Sequence, residues 1–138
     1  IVCTGISGGL YLYDDHIPGA VIMKDSLRTI SFNADYRVTV SRNIAANREN
    51  RSVLTFEGTS SGISSGGYPY TCTVSPGLSV SEACPWIKDG IISFSIPGVD
   101  IPAGTIEFMA KTGCNENVRY NFQGTVYDLQ MDEKHLRN

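Results

Sequence analysis

The clearest potential for chemistry lies in a short acidic run followed by a histidine near the start of the chain. Asp14 and Asp15 stand directly before His16, a cluster that could ligate a metal or exchange protons. The cluster runs straight into Pro18-Gly19, which favours a solvent-exposed turn. The second histidine, His135, lies in the charged C-terminal segment. No motif for a serine nucleophile, a phosphate loop, a dinucleotide or a zinc ion is present. We therefore predict a protein that is not an enzyme and that needs neither a cofactor nor a metal.

Four cysteines without a Cys-x-x-Cys spacing predict two disulfides and an oxidising compartment. Three pairings are possible. The local choice joins Cys72 to Cys84 and leaves Cys3 to join Cys114. A sequon beginning at Asn50 predicts N-glycosylation there, which agrees with secretion. The chain also starts without an apolar leader, as a mature secreted chain or a trimmed fragment would. We therefore expect an extracellular protein.

Length and charge limit the number of domains and the classes of partner. A chain of 138 residues is long enough for one domain, 1–138, with a hydrophobic core. The formal net charge is −3 and the basic residues are scattered, so nucleic acid is not an expected partner. No apolar run approaches the roughly 20 residues of a membrane-spanning helix. The charged segment 132–138 is expected to fray.

Alternating apolar and polar residues predict β-strands along most of the chain. The clearest runs are 91–96 and 105–111, each with one apolar and one polar side. The connection between them, 97–104, contains two prolines, which cannot donate to a β-ladder. Shorter apolar or alternating runs predict further strands at 20–23, 53–57 and 68–74. The chain is therefore expected to be all-β.

Three irregular segments decide how these strands are counted. Segment 27–41 fits either one long bent strand or two short ones. Segment 58–67 is nearly all Gly, Ser and Thr, which predicts a mobile loop. Segment 118–131 is predicted to be the longest strand, but its apolar residues change parity near Gly124, which indicates a bulge or a change of sheets. The count is seven to nine strands, and the expected fold is a two-sheet antiparallel immunoglobulin-like sandwich.

The same alternation places a set of large apolar side chains inside the fold. One interpretation is a close-packed core. The other is that some of these residues line a cavity for an apolar small molecule. The predicted ligand-binding residues are Val38, Val40, Leu54, Phe56, Tyr70, Trp86, Phe94, Ile96, Ile106, Phe108, Tyr120 and Phe122.

One longer motif stands in the second half of the chain. The run Cys84-Pro85-Trp86-Ile87-Lys88-Asp89-Gly90 is followed by a predicted strand, a proline-containing turn and Ala103-Gly104-Thr105 leading into another predicted strand. This motif resembles the MD-2-related lipid-recognition (ML) family. The resemblance implies a secreted, non-catalytic lipid-binding sandwich whose sheets splay to admit the ligand. It also implies that Cys72–Cys84 lies near the cavity mouth, with Trp86 and Tyr70 beside it. Family members usually carry a cysteine in the final strand, which this chain lacks.

A second interpretation belongs to another functional class. An adhesin-like or pilin-like domain, or a receptor-binding subunit of a toxin, would also be a β-sandwich. The Ser/Gly segment 58–67 and the tyrosines near positions 11–13 and 68–70 would then contact glycans or proteins, since tyrosine suits such surfaces. Under the first interpretation, the predicted partner is a lipid or another apolar small molecule. A protein receptor is a further candidate partner.

Overall fold

The chain folds into nine antiparallel strands that follow one another across a single sheet. A computed structural model describes residues 2–7, 10–25, 28–42, 52–110, 114 and 117–130. Each strand pairs with the next one in the sequence. The strands are β1 (Val2–Ser7), β2 (Leu10–Asp25), β3 (Arg28–Arg42), β4 (Ser52–Ile63), β5 (Pro69–Ser81), β6 (Cys84–Ser95), β7 (Ala103–Phe108), β8 (Asn117–Phe122) and β9 (Thr125–Gln130).

This arrangement confirms the all-β prediction and differs from the predicted sandwich. All nine described strands belong to one sheet, and a second sheet is not seen among the described residues. Alternation along a strand reports which side chains share a face, but it does not report which strands become neighbours. Of the segment 27–41, residues 28–41 lie in one strand, β3, and residue 27 falls outside the described residues. Asn50, His135 and the tail 132–138 fall outside the described residues.

The register gives the sheet one apolar face and one polar face. Directly paired residues point to the same side of an antiparallel sheet, so the pairings can be followed from strand to strand. For example, Tyr36 of β3 pairs with Gly58 of β4, which pairs with Val74 of β5, which pairs with Ile92 of β6. These four residues therefore lie on the same face. The apolar face, as used below, carries Tyr11, Tyr13, Ile17, Phe32, Tyr36, Val38, Val40, Leu54, Phe56, Tyr70, Cys72, Val74, Leu78, Val80, Ile92, Phe94, Ile106, Phe108, Val118, Tyr120, Phe122, Tyr127 and Leu129.

The core forms on the apolar face around β5 to β8. Val74, Leu78, Phe108 and Val118 make one buried cluster, with half-buried apolar side chains packed around it. Leu78 lies on β5 and Phe108 on β7, so a side chain on β6 would stand between them. Gly90 occupies that position, directly opposite Phe108. A Cβ at Gly90 would lie 2.7 Å from the Leu78 Cα atom, so the glycine lets the two strands' side chains meet.

The predicted longest strand is instead a hairpin. Strands β8 and β9 are joined by Gln123 and Gly124, both with positive φ, which is the geometry of a type I′ turn. Phe122 pairs with Thr125 across this turn, so Tyr127 and Leu129 return to the apolar face beside Val118 and Tyr120. The change of parity in the sequence therefore marks a two-residue turn, and the predicted bulge or change of sheets is wrong.

The Gly/Ser/Thr segment is also more ordered than predicted. Strand β4 extends to Ile63, and only residues 64–68 form a turn. Gly58 and Gly62 lie where β4 comes close to β3, and a Cβ on either residue would overlap a carbonyl oxygen of β3. The side chain of Tyr36 lies over Gly58, as aromatic residues do opposite glycine in a sheet. The two glycines therefore allow β4 to pack closely against β3.

The disulfide joins Cys84 to Cys114, so neither predicted pair forms. It links the start of β6 to the connection between β7 and β8, with a Cα–Cα distance of 5.5 Å. Cys72 is a free thiol. In the β5–β6 hairpin Cys72 pairs with Phe94, whereas Cys84 lies beside Ser81 at the opposite end. Nine residues of extended chain separate the two cysteines by about 30 Å, which rules out the local pairing.

Candidate ligand-binding faces

The predicted ligand-binding residues are brought together on the apolar face, with two exceptions. Trp86 is buried near the start of β6, and Ile96 follows the end of β6, where its N–H donates to the Pro102 carbonyl oxygen at 2.6 Å. All the others share the apolar face by register: Val38, Val40, Leu54, Phe56, Tyr70, Phe94, Ile106, Phe108, Tyr120 and Phe122. The alternation in the sequence therefore identified one continuous surface.

Aromatic rings occupy the β6–β9 end of this face. Phe122 contacts Phe94 and Tyr120 with ring centroids 5.6 Å apart in each pair, and Tyr127 at 6.3 Å. Phe122 lies over Gly104, because a Cβ on that glycine would collide with the Phe122 ring. The missing side chain lets the ring of one strand reach across its neighbour. The result is a ring cluster that spans four strands.

Much of the apolar face remains accessible to solvent. Leu54 is 37% exposed, and Tyr127 and Leu129 are 51% and 53% exposed. At the Leu54 end the surface forms a cleft of about 270 Å³ lined by Val40, Leu54 and Val80, with Arg42, Ser52 and Glu82 among its other lining residues. The cleft thus combines an apolar floor with charged groups, which is the arrangement that orients a ligand having an apolar body and a polar end.

Two titratable groups report on the local environment of the apolar face. Burial raises the pKa of Tyr70, and the nearby Tyr36 and Cys72 raise it further. Burial also raises the pKa of the Cys72 thiol, while a hydrogen bond with Ser60 acts in the opposite direction. In both cases the neutral form is favoured because the charged form loses hydration. The Cys72 thiol is therefore a weak nucleophile at neutral pH, placed where an apolar ligand would cover it.

A second cleft lies on the other, polar face. It has a volume of about 720 Å³ and is lined by consecutive residues of β2, β3, β4 and β5: Asp14, Asp15, His16, Asp35, Tyr36, Arg37, Glu57, Gly58, Thr59, Thr73, Val74 and Ser75. Val74 and Tyr36 direct their side chains into the core on the apolar side. The side chains that line the cleft are therefore those of the alternate residues, such as Asp14, Arg37 and Thr59, and most of them carry a charge or a hydroxyl group. Its edge coincides with an irregularity where β5 bulges opposite Glu57.

Cross-strand ion pairs organise this polar cleft. The Arg37 Nε–H donates to Asp14 Oδ1 at 2.9 Å, and this hydrogen bond is the largest cause of the raised pKa of Arg37. His16 Nδ1 pairs with Asp35 Oδ1 on the neighbouring strand. His16 thus lies within strand β2, so the predicted turn at this position is wrong. Pro18 and Gly19 are accommodated in the same strand by a shift of register.

A row of hydroxyl side chains extends along the polar face from this cleft. Thr59 pairs with Thr73, which pairs with Ser93, which pairs with Thr105. Neighbouring strands are about 4.8 Å apart, so the hydroxyls form a regular row across β4 to β7. The two faces of the sheet therefore differ in chemical character, one being mainly apolar and the other mainly polar.

The described part of the chain contains no helix with the length and apolar character needed to span a membrane. Within the same residues, no three His, Cys, Asp or Glu side chains form a group able to hold a metal ion. Comparisons with protein-family models, with curated proteins and with solved structures found no match.

Proposed function

We propose that this chain is a non-catalytic binding protein that holds an apolar small molecule of the lipid class against the apolar face of its sheet. The observation that carries the proposal is the apolar surface that extends from β2, where Asp15 interrupts it, to β9, and on which large side chains remain partly exposed. Burying such surface stabilises a complex by about 25 cal/mol per Å². Apart from an apolar body, this face requires no particular chemical group of the ligand.

The shape of the apolar face at the Leu54 end favours a small ligand. There the surface forms a cleft of about 270 Å³ with Val40, Leu54 and Val80 as its apolar floor, against which the apolar part of a lipid can lie. At the Leu54 end, Arg42 and Glu82 border the apolar cleft and supply charge for a polar headgroup. The proposal differs from the expected ML-type mode, in which the ligand lies between two sheets.

Lipid binding can be tested directly by mass and by titration. The protein is incubated with a mixed lipid extract, analysed by native mass spectrometry, and then extracted with organic solvent to identify released lipid. Binding of a fluorescent fatty acid gives the Kd. Alkylation at Cys72, followed by mass spectrometry of its peptide, reports whether the ligand covers the apolar face. We expect a stoichiometric ligand and slower alkylation of Cys72 in its presence.

A matched pair of substitutions on β4 separates the two faces. Leu54→Asp places a charge on the apolar face, whereas Thr55→Asp places the same charge on the polar face, outside the cleft that Leu54 lines. Burying a leucine is worth about 1.5–3 kcal/mol, and each 1.4 kcal/mol changes Kd about tenfold. We therefore expect Leu54→Asp to weaken fatty-acid binding at least about tenfold and Thr55→Asp to leave it nearly unchanged. Equal effects of the two substitutions, or no bound lipid at all, would reject the proposal.

The polar cleft favours a second candidate function, recognition of a glycan or of a protein surface. Its ion-paired Asp14, Arg37, His16 and Asp35 and its threonine hydroxyls present many hydrogen-bonding groups in one concave site. Screening against neutral and acidic glycans would test this function. Arg37→Gln should abolish binding, whereas Arg119→Gln alters a comparable Arg–Asp pair outside the cleft and should not. Glycan binding that survives Arg37→Gln would exclude the cleft.

A further inference from the structure

The two edges of the sheet differ in their ability to accept another strand. Strand β1 forms one edge, and its pairing with β2 is interrupted by a bulge between Cys3 and Gly5. Bulges at an edge discourage pairing with another chain. Strand β9 forms the other edge, and its pairing with β8 runs without a shift from Thr125 to Gln130. It contains no proline or lysine, residues that commonly protect exposed edges, and its one charged residue, Asp128, is ion-paired with Arg119 of β8.

The side chains of β9 are also unusually accessible. Every residue of the strand is exposed, including Val126 at 53%, Tyr127 and Leu129. No described strand pairs with its outer side. A regular edge strand whose outer side pairs with no described strand is the feature that other chains use to extend a sheet.

The turn before β9 determines which of its backbone groups point outward. In a two-residue hairpin the pair that closes the turn, here Phe122 and Thr125, exchanges both backbone hydrogen bonds. Hydrogen-bonded pairs then alternate along the ladder, so Tyr127 and Leu129 direct their N–H and C=O groups toward β8. Val126, Asp128 and Gln130 direct theirs away from the sheet.

These outward groups are self-complementary in one register. If β9 pairs antiparallel with β9 of a second chain and Tyr127 lies opposite its own copy, Val126 faces Asp128 of the other chain. Each of those residues has its backbone donor and acceptor directed outward, so both exchanges of hydrogen bonds are satisfied. A register centred on Asp128 would instead place like charges directly opposite each other, which is unfavourable. The Tyr127-centred register also keeps the two apolar faces on the same side.

We infer that a second copy of this chain pairs with the β9 edge, giving a two-fold symmetric dimer with one continuous eighteen-stranded sheet, which is twice the nine strands of each chain. The contact is isologous, because the same strand serves both partners. It closes after two chains because the bulged β1 edges remain at the far ends. The dimer joins the two apolar faces at Tyr127 and Leu129.

The oligomeric state is tested by sedimentation over a concentration series. The wild-type protein is expected to have twice the chain mass of 15.0 kDa. Val126→Pro removes an outward N–H without removing a hydrogen bond to β8, and it should give the mass of a single chain. Val126→Thr keeps that N–H and should retain the dimer. Circular dichroism confirms that the variants retain the sheet.

A cross-linking experiment tests the register and does not depend on the proline variant. At the two-fold axis the two residues at position 127 form a non-hydrogen-bonded pair with Cα atoms about 4.5 Å apart, a distance that a disulfide can span. In a Cys72→Ser background, Tyr127→Cys should therefore give an oxidised dimer. Leu129→Cys is equally exposed and on the same face, but it lies opposite Thr125 of the other chain and should remain unlinked. Monomeric wild-type protein at all concentrations, a dimeric Val126→Pro variant, or equal cross-linking at 127 and 129 would each overturn the inference.

Discussion

Replacement of Gly90 by alanine should destabilise the fold far more than a similar change elsewhere. Gly90 has φ of +121°, a conformation that side chains with a Cβ rarely adopt. An added methyl group would lie 2.7 Å from both the Gly77 carbonyl oxygen and the Leu78 Cα atom. These are backbone atoms, so they cannot move aside as the end of a flexible side chain could. The substitution therefore combines conformational strain with overpacking.

The two contributions can be given magnitudes. Backbone strain of this kind costs about 1–3 kcal/mol, and forcing an extra carbon into a packed core costs about 1–3 kcal/mol. We expect Gly90→Ala to reduce the free energy of unfolding by about 2–6 kcal/mol, against a typical total of about 5–15 kcal/mol for a domain. Gly67→Ala is the matched control. Gly67 also has positive φ, of +82°, but a Cβ there would meet nothing within 4 Å.

Urea unfolding followed by tryptophan fluorescence is a suitable assay, because Trp86 is the single tryptophan and it is buried. Gly67→Ala should show strain alone, about 1–2 kcal/mol. The difference between the two variants then isolates the crowding between β5 and β6. If Gly90→Ala were no less stable than Gly67→Ala, the meeting of Leu78 and Phe108 over Gly90 would not be a stabilising contact of the core.

Two further predictions concern the disulfide and one surface ion pair. Cys84 and Cys114 are 30 residues apart, and the loop-entropy model assigns such a cross-link about 3.6 kcal/mol of stability. Reduction of the disulfide should therefore lower the urea concentration at the unfolding midpoint. Peptide mapping that finds Cys84 linked to another cysteine would contradict the structure. The hydrogen bond from Arg119 lowers the pKa of the Asp128 carboxyl group. The stability that this pair contributes is therefore fully present above the ordinary carboxyl pKa, and it is lost as the pH falls through the lowered pKa of Asp128. In an NMR titration Arg119→Gln should return the Asp128 pKa toward about 3.9, and an unchanged pKa would show that the pair does not form in solution.

The faces of the sheet were predictable from the sequence because they follow from a local rule. Successive residues of a strand point to opposite sides, so the alternation at 91–96 and 105–111 already indicated a shared apolar surface. The strand neighbours were not predictable in the same way. Two packed sheets and one continuous sheet place the same side chains on the apolar side, and only the pairing between strands distinguishes them.

Other differences arise from turns and from distance along strands. Gln123-Gly124 forms a tight turn although glutamine is not among the usual first residues of a type I′ turn, so the hairpin went unrecognised. The local cysteine pairing failed because a long hairpin carries Cys72 and Cys84 to opposite ends. The polar cleft was missed because its residues come from four strands, and the only local signal was the acidic pair before His16.

The strictly sequential strand order has a consequence for how the protein folds. Every ladder joins strands that are adjacent in the chain, so each can close as a hairpin without waiting for a distant segment. Pairing of strands that are neighbours in the chain closes shorter loops than pairing of distant strands, so each ladder forms at a lower entropic cost. Growth can proceed outward from the β5–β8 core one strand at a time. During synthesis, each emerging strand therefore finds a partner that has already left the ribosome.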